Sequence, residues 1–126
     1  MQVNRIDHLV LTVASIERTV DFYTRLLGMT RVEFGEGRTA LAFGDQKINL
    51  HELGNEFEPK AERVAAGSAD LCLIIDIPVT EAIDSLRGHG VDVFEGPVGR
   101  TGARGQILSA YLRDPDGNLL ELSNYV

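Results

Sequence analysis

Ile6-Asp7-His8-Leu9-Val10-Leu11-Thr12-Val13 stands near the start of the chain, and Ala69-Asp70-Leu71-Cys72-Leu73-Ile74-Ile75 stands past its middle. Both stretches are β-branched and apolar enough to read as buried strands. A shift of 62 residues lays Asp7-His8-Leu9-Val10-Leu11 on Ala69-Asp70-Leu71-Cys72-Leu73, so that His8 falls on Asp70. The same order of elements follows each. After the first strand, residues 3–13, Ser15 reads as a helix N-cap with Glu17 in the first turn and Arg25 in the last. Ile16, Val20, Tyr23 and Leu27 form one stripe and Gly28 is the stop. Strands follow at residues 29–34, 39–43 and 47–52, separated by short Gly-containing turns. After the second strand, residues 69–77, come a helix at 78–87 and strands at 91–98, 106–113 and 118–124. Repetition at near half the chain length outweighs any single element. The sequence therefore reads as one α+β domain over residues 1–126, built from two tandem β-α-β-β-β modules at about 3–52 and 68–124. A polar linker joins them at about 53–67. The expected architecture is an eight-stranded, curved, cup-like mixed sheet with the helices on its outer face.

Size and charge narrow the function classes. A chain of 126 residues holds one compact unit, and 44% apolar with 25% charged residues is a globular balance. Lys plus Arg number 12 against 19 Asp plus Glu, and the resulting net charge of −7 opposes phosphate backbones. Nucleic acid is excluded as the expected partner. Cys72 has no intrachain partner, and no 18-residue apolar run or leader-like start is visible, so a cytoplasmic protein without membrane contact is expected.

Side chains alternate along a strand. His8 thus shares a face with Val10 and Thr12, while Leu9, Leu11 and Val13 face the helices. In the same way Asp70 goes with Cys72 and Ile74, His51 with Asn49, and Glu121 with Leu119 and Ser123. Sliding Asn49-Leu50-His51 onto Leu119-Leu120-Glu121, an offset of 70, superposes His51 on Glu121. Four ionisable groups, His8, His51, Asp70 and Glu121, then lie on the face turned from the helices, where isolated burial would cost several kcal/mol. A bound cation explains them. Two imidazoles and two carboxylates suit a borderline divalent ion (Zn, Ni, Mn, Co or Fe), with positions left open for substrate oxygens. Asn49 and Ser123 share that face as candidate substrate contacts. Residues 96–105 carry four glycines with Arg100 and Arg104, and read as a flap whose arginines meet an anionic substrate group. Asp114-Pro115-Asp116-Gly117-Asn118 is a turn, His89 is a solvent residue between glycines, and Cys72 is pocket wall.

At these residues the chain resembles the vicinal oxygen chelate superfamily of glyoxalase I, bleomycin-resistance proteins and extradiol dioxygenases. The resemblance is carried by Ile6-Asp7-His8-Leu9-Val10-Leu11, by Thr19-Val20-Asp21-Phe22-Tyr23 with Leu27-Gly28, and by Asp114-Pro115-Asp116-Gly117-Asn118-Leu119-Leu120-Glu121. A closer similarity is to members of the glyoxalase domain-containing protein 5 type, through Arg100-Thr101-Gly102-Ala103. The resemblance implies one divalent ion per site, with His8 as first-strand, His51 as fourth-strand and Glu121 as last-strand ligand, and Asp70 at the fifth-strand position. Glyoxalase I usually has Glu where His51 stands and His where Asp70 stands, so its reaction is not carried over. A metal-dependent lyase, isomerase or dioxygenase on a small oxygen-bearing substrate is expected, with Glu121 as the base. The alternative is a non-catalytic binder of the bleomycin-sequestering type. A homodimer is expected, because the edges of the cup need covering. The sites then fall within one chain or are shared between two.

Overall fold

The computed structural model describes all 126 residues, and the chain divides into two compact units, Met1–Gly67 and Ser68–Val126. The first carries β1 (His8–Val13), α1 (Ile16–Leu27), β2 (Thr30–Phe34), β3 (Arg38–Phe43) and β4 (Gln46–Glu52). The second carries β5 (Asp70–Ile74), α2 (Val79–Gly88), β6 (Val93–Thr101), β7 (Gln106–Arg113) and β8 (Leu119–Tyr125). Both are β-α-β-β-β modules, and the chain is α+β as the repeat predicts.

Each module has its own four-stranded mixed sheet, ordered β1-β4-β3-β2 in the first and β5-β8-β7-β6 in the second. In both, the first strand pairs in parallel with the last, and the other pairings are antiparallel. The helix supplies the crossover that parallel neighbours need.

In the first module Ser15, in extended conformation, accepts the Arg18 N–H at 3.2 Å to start α1. Gly28 ends it at φ +69°, a left-handed conformation that glycine adopts without Cβ strain. Thr19, Val20 and Tyr23 of α1 are buried with Leu11, Val13, Leu41, Ile48 and Leu50 of the sheet. These strand residues belong to the face that alternation assigns to the helix.

In the second module α2 buries Val79, Ala82, Ile83 and Leu86, and the sheet buries Leu112, Leu120 and Leu122. Pro78 gives α2 no side-chain cap, and Asn124 of β8 takes that role by accepting the Val79 N–H at 2.8 Å. The predicted turn after β7 is closed by Asp114, which accepts the N–H groups of Asp116 and Asn118. Asn118 in turn accepts the Ala69 N–H at 2.8 Å and ties the turn to the start of β5.

Three expectations are corrected. β1 begins at His8 rather than residue 3, because Val3 and Ile6 are exposed and meet no partner strand. Residues 96–105 are not a flap. β6 runs through them to Thr101, paired with β7 through Arg100↔Ile107 and Thr101↔Gln106, and only a tight turn remains. The repeat register also shifts. Val10 stands opposite Asn49 and Thr12 opposite His51, while Cys72 stands opposite Glu121 and Ile74 opposite Ser123. With β1 laid on β5, Asn49 therefore corresponds to Glu121 and His51 to Ser123, an offset of 72 rather than 70.

Gly96 tests the packing of β6 on β7. A Cβ there would lie 2.6 Å from the Ser109 carbonyl oxygen and 2.7 Å from Ala110 Cα, and φ is +121°. Gly96→Ala is expected to destabilise the protein by about 2 kcal/mol or more. Gly99→Ala, three residues along the strand with nothing within 4 Å, should cost far less. Urea denaturation of the pair checks the contrast.

Candidate functional site

The β7 and β8 strands of the second module set its polar residues in rows, with Tyr111 opposite Glu121 and Ser109 opposite Ser123. Ser109 donates to Glu121 Oε2 at 2.6 Å, and the Ser109 and Ser123 hydroxyls lie 2.7 Å apart with both residues fully buried. Ser123 also meets Cys72 Sγ at 3.4 Å. On the other flank Arg100 Nε donates to the Tyr111 hydroxyl at 3.0 Å. A guanidinium cannot accept, so the phenol proton points away from Arg100. Burial pushes the Tyr111 phenol up, and the charge of Glu121 opposite adds to the shift.

Glu121 stands on the wall of a cavity of about 390 Å³ within this module, lined also by Cys72, Ile74, Gly102, Ile107 and Tyr125. The volume suits a small molecule. Gly102 keeps the space open, since a Cβ there would come within 3.0 Å of Ile107 and of the Tyr125 hydroxyl. Partial desolvation of its sulfur, then the charges of Glu121 and Asp70, push the Cys72 thiol up. It is therefore wall rather than nucleophile.

The first module presents His8, Lys47, Asn49 and His51 on one face, yet His8 is opposite Lys47 while His51 is opposite Thr12. Four residues along a strand is roughly 13 Å, too far for two imidazoles of one sheet to hold one ion. His8 is half-exposed, with Nδ1 2.8 Å from Asp7 Oδ1. That hydrogen bond holds the Asp7 carboxyl below its usual range. Such a carboxylate orients an imidazole and leaves Nε2 open, as in many metal sites.

His51 is in a different state. It is 2% exposed, and its Nε2 lies 3.2 Å from Arg38 Nη2. The guanidinium must be the donor, so the Nε2 lone pair is occupied and the proton sits on Nδ1, which is buried without a partner. Burial, then the Arg38 charge, hold this imidazole below its ordinary range.

The ligand set predicted from sequence thus separates residue by residue. His8 and Glu121 have lone pairs that can take an ion, Asp70 is exposed at the start of β5, and His51 is engaged by Arg38. Neither module alone brings three His, Cys, Asp or Glu side chains together to hold a metal. Among the predicted substrate contacts, Arg100 is tied to Tyr111, the Gly99 carbonyl and Glu95. Arg104 stacks 4.7 Å over the Tyr125 ring. Asn49 is buried with Oδ1 unpaired, and Ser123 belongs to the serine network. Sequence reading missed Tyr111 and Arg38. Parity with Glu121 across a hairpin could have shown the first, whereas nothing local marks the second.

The family model of the Glyoxalase/Bleomycin resistance protein/Dioxygenase superfamily matches residues 5–122. The chain belongs to this superfamily. Among its curated members, Glyoxalase domain-containing protein RDO1 of Mycosarcoma maydis is 57% identical over 125 residues, covering 99% of this chain and 70% of that protein. Virulence protein STM3117 of Salmonella typhimurium is 54% identical, covering 100% of this chain and 88% of the relative. A Lactoylglutathione lyase of Neisseria meningitidis is 31% identical, covering 93% and 88%. Among solved structures, an integron cassette protein from the mobile metagenome of V. Cholerae superposes with a TM-score of 0.98 at 59% identity, covering 100% of this chain and 98% of that one. No helix of the chain is long and apolar enough to cross a membrane.

The state of His51 gives a pH test. Its folded value lies below that of the unfolded chain, so the unfolded state binds the extra proton. Its effect on stability is absent above about pH 6.5 and grows as pH falls below it. The urea midpoint should drop between about pH 7 and about pH 5.5, and the drop should be smaller in His51→Gln. Identical pH dependence in the two proteins would refute the assignment.

Proposed function

We propose that this chain is an enzyme of the superfamily acting on a small oxygen-bearing molecule, by lyase or isomerase chemistry with Glu121 moving the proton. The observation that carries this reading is a carboxylate fixed at a cavity wall. Ser109 holds Oε2, Tyr111 stands opposite on the neighbouring strand, and the carboxylate keeps further lone pairs for a substrate proton. The Ser109 hydroxyl sets the direction of the carboxylate before substrate arrives, and Ile74 and Ile107 give the cavity apolar walls. The relatives named lactoylglutathione lyase support proton-transfer chemistry over oxidation.

A divalent ion of the Zn, Ni, Mn, Co or Fe group would polarise a substrate oxygen when bound. The groups of this chain suited to hold it are His8 through Nε2 and the carboxylates of Asp70 and Glu121. His51 leaves the donor set, because its lone pair faces a fixed cation. A non-catalytic small-molecule binder is the second reading, favoured by the absence of three converging donors in either module. We also propose a homodimer, since Val10 on β1 and Ile74 on β5 stand 45% and 55% exposed on sheet faces, and a cytoplasmic setting, consistent with the single free cysteine. Sedimentation at micromolar concentration should show two chains, and a monomer would refute the dimer.

The enzymatic reading is tested with purified protein loaded with each ion in turn and offered α-hydroxy thioesters and catechols. Glu121→Gln keeps an oxygen but loses basicity, so turnover should fall by about two to four orders of magnitude with the fold intact. Near-wild-type turnover in Glu121→Gln would remove the proton-transfer role. Ligand binding without turnover by wild type would favour the binder.

A further inference from the structure

The non-helix face of the first module carries two cations that form no ion pair with a carboxylate, while Glu56 and Glu58 act on the neighbouring His51 through space. The strand pairings Phe34↔Arg38, Ala40↔Asn49 and Ala42↔Lys47 put Phe34, Arg38, Lys47, Asn49 and His51 on this one face. The Arg38 guanidinium lies 5.0 Å from the Phe34 ring centre and 4.9 Å from that of Phe57, and Lys47 Nζ lies 3.7 Å from Phe34. Two cations therefore share one ring, held by it and repelling each other.

Neither makes an ion pair with a carboxylate. Arg5, Arg25, Arg31, Lys60 and Arg100 do, whereas Arg104 and Arg113 also lack one and stack singly on Tyr125 and Phe94. Asp7, which feels Lys47 through space, is hydrogen-bonded to His8 instead. The hydrogen-bond inventory has the same bias. Arg38 Nε–H and His51 Nδ1–H are buried donors without acceptors, against one unpaired acceptor, Asn49 Oδ1. Arg38 and Lys47 are half-buried, so their charges are reachable from solvent. What sets this face apart, in a chain of net charge −7, is that two cations share one ring beside buried donors that have no acceptor.

We propose that Arg38 and Lys47 form an oxyanion subsite that takes the carboxylate or phosphate group of a small molecule. The planar guanidinium gives the anion direction, and the ammonium adds charge on the flank. Phe34 pre-positions both side chains, so little rotamer freedom is lost on binding. Binding at this subsite is read without turnover, so its failure is distinguishable from a failure of proton transfer at Glu121.

Isothermal titration calorimetry at low ionic strength, with inorganic phosphate in one arm and succinate in the other, tests it. Wild type should bind at least one anion, and binding should weaken as salt is added. The tighter arm identifies a phosphate or a carboxylate as the natural group. Lys47→Gln should weaken binding about tenfold, and Arg38→Gln should abolish it while Arg38→Lys retains part. Arg63→Gln, an exposed cation of the same module, should bind as wild type does. Thermal midpoints confirm folding, and if Arg38→Gln does not fold, Lys47→Gln carries the decision. Absence of binding by wild type, wild-type affinity in Lys47→Gln, or equal weakening by Arg63→Gln overturns the proposal.

Discussion

The parallel pairing of first with last strand governs everything built on each module. Because β1 lies beside β4 and β5 beside β8, the alternation of each strand is locked to that of its neighbour, and the large apolar side chains gather on one face of each sheet. That face is filled by Leu11, Val13, Ile48 and Leu50 in the first module and by Leu120 and Leu122 in the second. Packing against the helix uses up the apolar side chains. The opposite face is left free of core duties, and it is there that His8, Lys47, Asn49, Asp70 and Glu121 all stand.

The part of this that is legible in sequence is the part with a short period. Ser15, Gly28 and the stripe at Ile16, Val20, Tyr23 and Leu27 announce α1, and period-two alternation assigns faces in β1, β4, β5 and β8 that agree with the strand register. Register along the strand is another matter. A slip of one residue would turn Glu121 into the core and be noticed, but a slip of two preserves every face and passes unseen. Matching His51 to Glu121 is such a slip, and only the ladder pairs show that Asn49 is the true counterpart. The fate of His51 was hidden for a related reason. Its partner Arg38 sits 13 residues away on a neighbouring strand, and no local pattern marks which of several arginines will meet a given imidazole.

The two polar clusters differ in how completely they are satisfied. Around Glu121, the Ser109 hydroxyl donates to a group that only accepts, Ser123 is hydrogen-bonded to Ser109, and Arg100 donates to the Tyr111 hydroxyl alongside. The carboxylate, which only accepts, and the guanidinium, which only donates, fix the direction of the bonds they make. Around His51 the count does not close. An unpaired buried N–H costs roughly 1–3 kcal/mol, and the first module retains two such donors beside an unneutralised lysine. A fold tolerates that cost where the groups have a purpose outside the resting structure.

Laying the modules on each other in the observed register shows what duplication kept and what it changed. On the helix side Leu11 corresponds to Leu73, Ile48 to Leu120 and Leu50 to Leu122, apolar for apolar. On the other side His8 corresponds to Asp70, Lys47 to Leu119, Asn49 to Glu121 and His51 to Ser123. None of these four pairs keeps its chemistry. The helix-facing residues are fixed by close packing, where a lost methylene is felt, whereas the free face answers only to solvation and to whatever binds there. One copy has gathered cations on an aromatic support and the other a carboxylate on a hydroxyl platform.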